Sequence, residues 1–152
     1  MLNRRSFLIT LGAVPVAAVV AGPAWAAKPR VFATNGIAIN GYDPVAYFSE
    51  NKPVAGDAAY TAEWNGATWQ FASQANRDTF VAAPESYAPQ YGGYCAYAVS
   101  KGGTATTQPD TWTIHEGKLY LNFNLTVRDI WRQDISGNVA KADANWPSVL
   151  EA

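Results

Sequence analysis

Two strand-like runs that meet at Asn65-Gly66 constrain this chain more than any other feature. The runs are YTAEW (60–64) and ATWQF (67–71). Asn-Gly tolerates positive φ at both central positions and selects the two-residue turn whose twist matches paired strands. Folding about it sets Trp64 against Ala67, Ala62 against Trp69 and Tyr60 against Phe71. Those six residues form one apolar face, while Thr61, Glu63, Thr68 and Gln70 form the other. Alternation and turn agree, so a hairpin with one buried face is the first element to place.

Helix signals surround it. Asp43-Pro44 puts a capping carboxylate before a proline suited to a first turn, which predicts a short helix through Val45, Tyr47 and Phe48. Ser73 caps a helix over 74–83 with Ala75, Phe80 and Val81 as core residues, and Pro84 ends it and opens a shorter turn holding Tyr87. A second hairpin is predicted about Glu116-Gly117, with Trp112, Ile114, Leu119 and Leu121 on one face. Thr113, His115 and Tyr120 fall on its polar face. Helix is predicted from Leu125 through Ile130 and Trp131, with a break at Ser136-Gly137 and a last helix towards Trp146-Pro147. Lys28 to Ile39 reads as a lead-in with one short strand, and Asn51 to Asp57 as loop. Hairpins interleaved with helices give the α+β class: one domain, a small antiparallel sheet built from two β-hairpins, packed with short helices.

The first residues read as an address. Arg4 and Arg5 precede a largely apolar run from Leu8 to Ala21, and Ala24-Trp25-Ala26 supplies small residues for cleavage. Paired arginines followed by Ser6, Phe7 and Leu8 resemble a twin-arginine signal, which exports proteins already folded. The run is shorter than a membrane-spanning helix needs and contains Gly12 and Pro15, so residues 1–26 are expected to be cleaved. The expected location is the periplasm or outside the cell, with residues 27–152 as the mature domain. Losing two arginines takes the net charge from −1 to −3, which leaves no basic patch for nucleic acid. No second apolar run offers a membrane span after cleavage. Aromatics are 13% of the chain, which favours a packed domain over disorder.

Chemistry is sparse. Cys95 is the one cysteine, so no internal disulfide forms, and it sits in YGGYCAYAVSKG (91–102). Gly92-Gly93 permits a tight turn into a helix carrying Cys95, Ala96 and Val99. A thiol at a helix start feels the positive end of the dipole, which favours thiolate. On that reading Gly92, Gly93, Tyr94, Cys95 and Tyr97 form a ligand-binding stretch, with Cys95 as a metal ligand or reactive thiol. The bland alternative is a small buried hydrophobe. His115, the one imidazole, is the natural second metal ligand, but the hairpin register sets it beside the turn opposite Lys118. One thiol, one imidazole and no thioether after cleavage make a thin set for zinc or copper. A metal would also draw on carboxylates such as Asp43 or Asp110, a second subunit, or a low-coordinate thiolate. No catalytic residues are assigned, because no spacing brings a base to Cys95. The tryptophans and tyrosines could line a pocket, although aromatics facing a hairpin are usually core.

Taken with GYDPVAYF (41–48), WNGATWQFAS (64–73), ANRDTF (75–80), PESYAPQ (84–90), the strand pair at 109–122 and ADANWP (142–147), the cysteine stretch resembles exported proteins carrying a YHS domain. The resemblance spans roughly Gly36 to Pro147. The family's Tyr-His-Ser motif does not stand literally here, and Tyr94-Cys95-Ala96 is read as its counterpart. The resemblance implies a small α+β unit for which metal binding is suspected. The expectation is a periplasmic binding module taking a metal ion, copper or another, or a small ligand through Cys95, and not an enzyme. The alternatives are a structural protein docking to a periplasmic partner, or a thiol-redox protein, and the latter lacks a resolving cysteine.

Overall fold

Around Asn65 (φ 49°) and Gly66 (φ 79°) the chain makes the expected tight hairpin, β3 (Asp57–Trp64) against β4 (Ala67–Phe71). The computed structural model describes residues 26–152, so the export signal assigned to 1–26 lies outside the described residues but for Ala26. Trp64 pairs with Ala67 and Ala62 with Trp69, as the alternation requires. Tyr60 does not pair with Phe71. The register shifts between Asp57 and Thr61, and Phe71 lies opposite Asp57 instead. The cause is local: the Asp57 carboxylate accepts the Ala59 N–H at 2.8 Å, an Asx-type bond that takes that donor out of the ladder.

The lead-in holds two short strands, β1 (Ala33–Thr34) and β2 (Ile37–Ala38), joined by Asn35-Gly36 with positive φ at both. β2 pairs parallel with β4 through Ile37 and Thr68, giving the order β1-β2-β4-β3. The second hairpin, β5 (Thr113–His115) with β6 (Lys118–Tyr120), forms a separate two-stranded sheet. Short helices pack between and around the two sheets, and the α+β class holds. They are α1 (Ala46–Ser49), α2 (Gln74–Ala82), α3 (Pro84–Tyr87), α4 (Ala96–Ser100), α5 (Leu125–Arg132) and α6 (Ile135–Asn145).

Three expectations change for physical reasons. In α2 only Phe80 is buried, whereas Val81 is 52% exposed and Ala75 faces solvent. Successive helical residues lie ~100° apart, so these three cannot share one inward face. Phe80 takes it, with ring centroids 5.2 Å from Trp69 and 5.1 Å from Phe71. The break in the C-terminal helix comes before Ser136-Gly137, at Asp134, whose side chain caps α6 by accepting the Gly137 N–H at 3.0 Å. At Gly137 the missing Cβ leaves room for the capping Asp134 carboxylate. Finally, Tyr120 and Thr113 are buried and not on a solvated face. Helix α5 covers them: Tyr120 lies 5.1 Å from Trp131 ring to ring, and Arg132 Nε donates to the Thr113 hydroxyl at 3.0 Å.

One buried carboxylate ties the first half together. Asp43, with no exposed surface, accepts the Val45 N–H at 2.9 Å and the Ala46 N–H at 3.4 Å through Oδ1. Its Oδ2 accepts the Ala72 N–H at 2.9 Å and Asn76 Nδ2 at 2.7 Å. It thereby joins α1, the end of β4 and the start of α2.

Candidate functional site

The sole thiol is sealed. Cys95 is 0% exposed and stands at the start of α4, where its N–H donates to the Ala105 carbonyl at 3.0 Å. The next residue, Ala96, donates to Leu121 at 2.9 Å, which holds the segment after β6 against the start of the helix. Sγ meets one polar side chain, donating to Asn122 Oδ1 at 3.5 Å, and Asn122 Oδ1 also accepts the Tyr97 N–H at 3.1 Å. The expected thiolate is not favoured. Burial raises the Cys95 pKa, and the backbone hydrogen bonds from Ala98, Phe123 and Tyr97 oppose it without winning. A five-residue helix carries too little aligned dipole to reverse that. We expect native protein to resist iodoacetamide at pH 8 and to react at the rate of a free thiol once unfolded in urea. Rapid alkylation of folded protein would make Cys95 a reactive site again.

The other residues singled out in the sequence separate. The Tyr94 hydroxyl is spent on the Pro29 carbonyl at 2.8 Å. Tyr97 is half-buried, with Lys101 Nζ 5.1 Å above its ring. Gly93 is buried and Gly92 turns the chain with φ 62°. His115 pairs with Lys118 as expected and lies in a second hollow of about 280 Å³ with Glu116, Tyr120 and Asp143. Its Nε2 is 3.9 Å from the Glu116 carboxylate, and Cys95 does not line that hollow. Asp43 has committed both oxygens to four donors, and Asp110 is exposed. Among the described residues no group of three His, Cys, Asp or Glu side chains can converge on a metal ion. The donor set therefore does not fit a chelate.

What the fold builds instead is an open cleft of about 280 Å³. Trp64 comes from the hairpin end, Glu85 from α3, Tyr91 and Gly92 from the turn before Cys95, Trp146 from the end of α6 and Arg30 from the lead-in. Its aromatic walls are held on their far sides. Trp64 stands edge-on to Phe80 at 5.8 Å and 88°. Trp146 packs on Tyr91 at 6.0 Å and on Tyr94 at 6.3 Å. The Tyr91 hydroxyl donates to Asp143 Oδ1 at 2.9 Å, which fixes the ring. Among the described residues neither Arg30 nor Glu85 forms an ion pair, so both charges face solvent and the cleft. Sequence reasoning allows for an aromatic-lined pocket but treats Trp64 as core. The usable signal is its place as the last residue before the turn, where the sheet ends and its cover runs out.

Buried tyrosines set the alkaline limit of the fold. Burial pushes Tyr47 and Tyr91 far above the usual phenol value, helped at Tyr91 by the bond to Asp143. Tyr94 and Tyr120 are raised by the same cause. The folded state keeps protons that the unfolded chain releases near pH 10, so stability is full below that pH and falls above it. Two fully retained protons cost about 3 kcal/mol by pH 11. Urea melts from pH 8 to 11 should show this fall, and Tyr91→Phe should flatten it.

A family model, YHS domain, matches residues 45–91. No curated protein and no solved structure matches the chain. The matched segment runs from α1 through α3 to Tyr91, so it includes Trp64, Glu85 and Tyr91 of the cleft. It ends before Tyr94-Cys95-Ala96, the stretch that stands as counterpart of the family motif in the sequence. The match thus covers the β3–β4 hairpin, helices α1 to α3 and one wall of the cleft.

Proposed function

We propose that this protein is an exported, non-catalytic binding module that takes a small ligand into the cleft between Trp64 and Trp146. The paired arginines and apolar run of residues 1–26 support export. One observation carries the binding role: aromatic walls already packed in place converge in one concave site with two charges, Arg30 and Glu85, that form no ion pair among the described residues. Pre-ordered rings lose little entropy on binding, and a few polar groups around them supply orientation. The sealed sulfur has neither property, so it is assigned to packing and to the bond with Asn122. The test is two-dimensional amide NMR of the purified exported protein against monosaccharides, amino acids, nucleosides, Cu(I) and Zn(II). Perturbations should gather at Trp64, Tyr91 and Trp146, and Trp146→Ala should weaken binding at least tenfold while Cys95→Ala leaves it unchanged. If Cys95→Ala abolished binding and Trp146→Ala did not, the thiol would be the site after all.

A further inference from the structure

Resting on that cleft reading, we infer that the ligand is a neutral sugar of one or two pyranose rings. The lining offers two kinds of surface. Trp64 and Trp146 contribute half-buried indoles, and Arg30, Asn65, Glu85 and Gln90 contribute polar side chains beside them. Arg30 only donates and Glu85 only accepts, while the two amides do both. A hydroxyl also does both, so a ring of adjacent hydroxyls can use all four side chains at once. A pyranose adds what the indoles need, a face of C–H groups that lies flat on an aromatic ring with the hydroxyls turned to the edge.

Charge narrows the choice. One cation and one anion line the same cleft, so a phosphate would meet Glu85 and an ammonium would meet Arg30. A zwitterionic amino acid would engage Arg30 and Glu85 but leave Asn65, Gln90 and the two indoles largely unused. A purely apolar ligand would gain nothing from the four polar side chains. The volume, about 280 Å³, is enough for one or two sugar rings.

The experiment titrates labelled, full-length exported protein with glucose, N-acetylglucosamine and cellobiose, then with arginine, glycine and adenosine. The sugars should move the indole N–H signals of Trp64 and Trp146 and leave those of Trp69 and Trp131, both fully buried, in place. Trp146→Ala should weaken sugar binding at least tenfold. Because Trp146 also packs on two tyrosines, Glu85→Ala serves as a variant at an exposed position, expected to lose about threefold to tenfold with an unchanged melting temperature. Should arginine or adenosine move those two indoles while no sugar does, the sugar assignment fails and the cleft survives. Should no probe move them, or should sugars bind with equal affinity to the wild type and to both variants, the cleft reading fails as well.

Discussion

Asp43→Ala is expected to remove about 4 kcal/mol of stability, a large share of what holds a domain of this size. The carboxylate has no exposed surface and accepts from Val45, Ala46, Ala72 and Asn76. Hydrogen bonds to a charged group contribute roughly 1.5–3 kcal/mol each, and donors left unpaired in the interior cost about 1–3 kcal/mol more apiece. Water entering beside Val45 and Ala46 offsets part of that sum, which is why the expectation stops near 4 kcal/mol. Asp43→Asn sharpens the argument. Its oxygen can serve one pair of donors, but its NH₂ must then face the other pair, donor against donor. The asparagine variant is therefore expected within about 1 kcal/mol of the alanine one, although it is nearly isosteric. Urea denaturation of both variants measures this. A loss under about 1 kcal/mol in Asp43→Asn would mean that the acceptor pattern, not the cavity, was misjudged.

The parts of this molecule that are legible in the sequence are those where the signal is local. Trp64, Asn65, Gly66 and Ala67 lie together in the chain and need no distant partner to specify a turn. The Ser73 cap is likewise local, since its Oγ accepts from Asn76, three residues on. Sequence and structure part where a side chain overrides the backbone pattern. The Asp57 bond to Ala59 moves Phe71 off its expected partner, and the Asp134 cap moves a helix start two residues ahead of the glycine that looks like a break. Strands of two residues, β1 and β2, are too short for alternation to show, so the Asn35-Gly36 turn between them is hidden in the lead-in. The site is least legible because it is wholly non-local. Cys95 is sealed by bonds from α4 to Leu121 and Asn122, and the cleft joins Arg30, Trp64 and Trp146 from three separate parts of the chain. A lone thiol draws notice in a sequence, whereas its burial is decided by residues that no spacing rule connects to it.

Gly92→Ala is expected to cost more than about 3 kcal/mol and to displace Arg30 from the edge of the cleft in whatever fraction still folds. Two effects act at this position. With φ at 62° the backbone lies in the left-handed region, where a Cβ costs about 1–2 kcal/mol. A Cβ there would also overlap the Arg30 carbonyl oxygen and stand 2.9 Å from its carbonyl carbon. Both are backbone atoms, so no side-chain rotation relieves the clash, and the Phe32 N–H to Gly92 carbonyl bond of 2.9 Å holds the two segments together. The lead-in must move away, and Arg30 moves with it. Gly102 provides the control, since it has φ 85° but nothing within 4 Å of where an added methyl would stand. Gly102→Ala should therefore show the conformational cost alone, about 1 kcal/mol. A difference of at least about 2 kcal/mol between the two variants in urea melts would isolate the close approach. Equal losses would mean that Gly92 is required only for its φ, and that the lead-in can yield without strain. In that case Arg30 would not be fixed by the turn, and the cleft's charged edge would have to be held by something other than the backbone contact that now defines it.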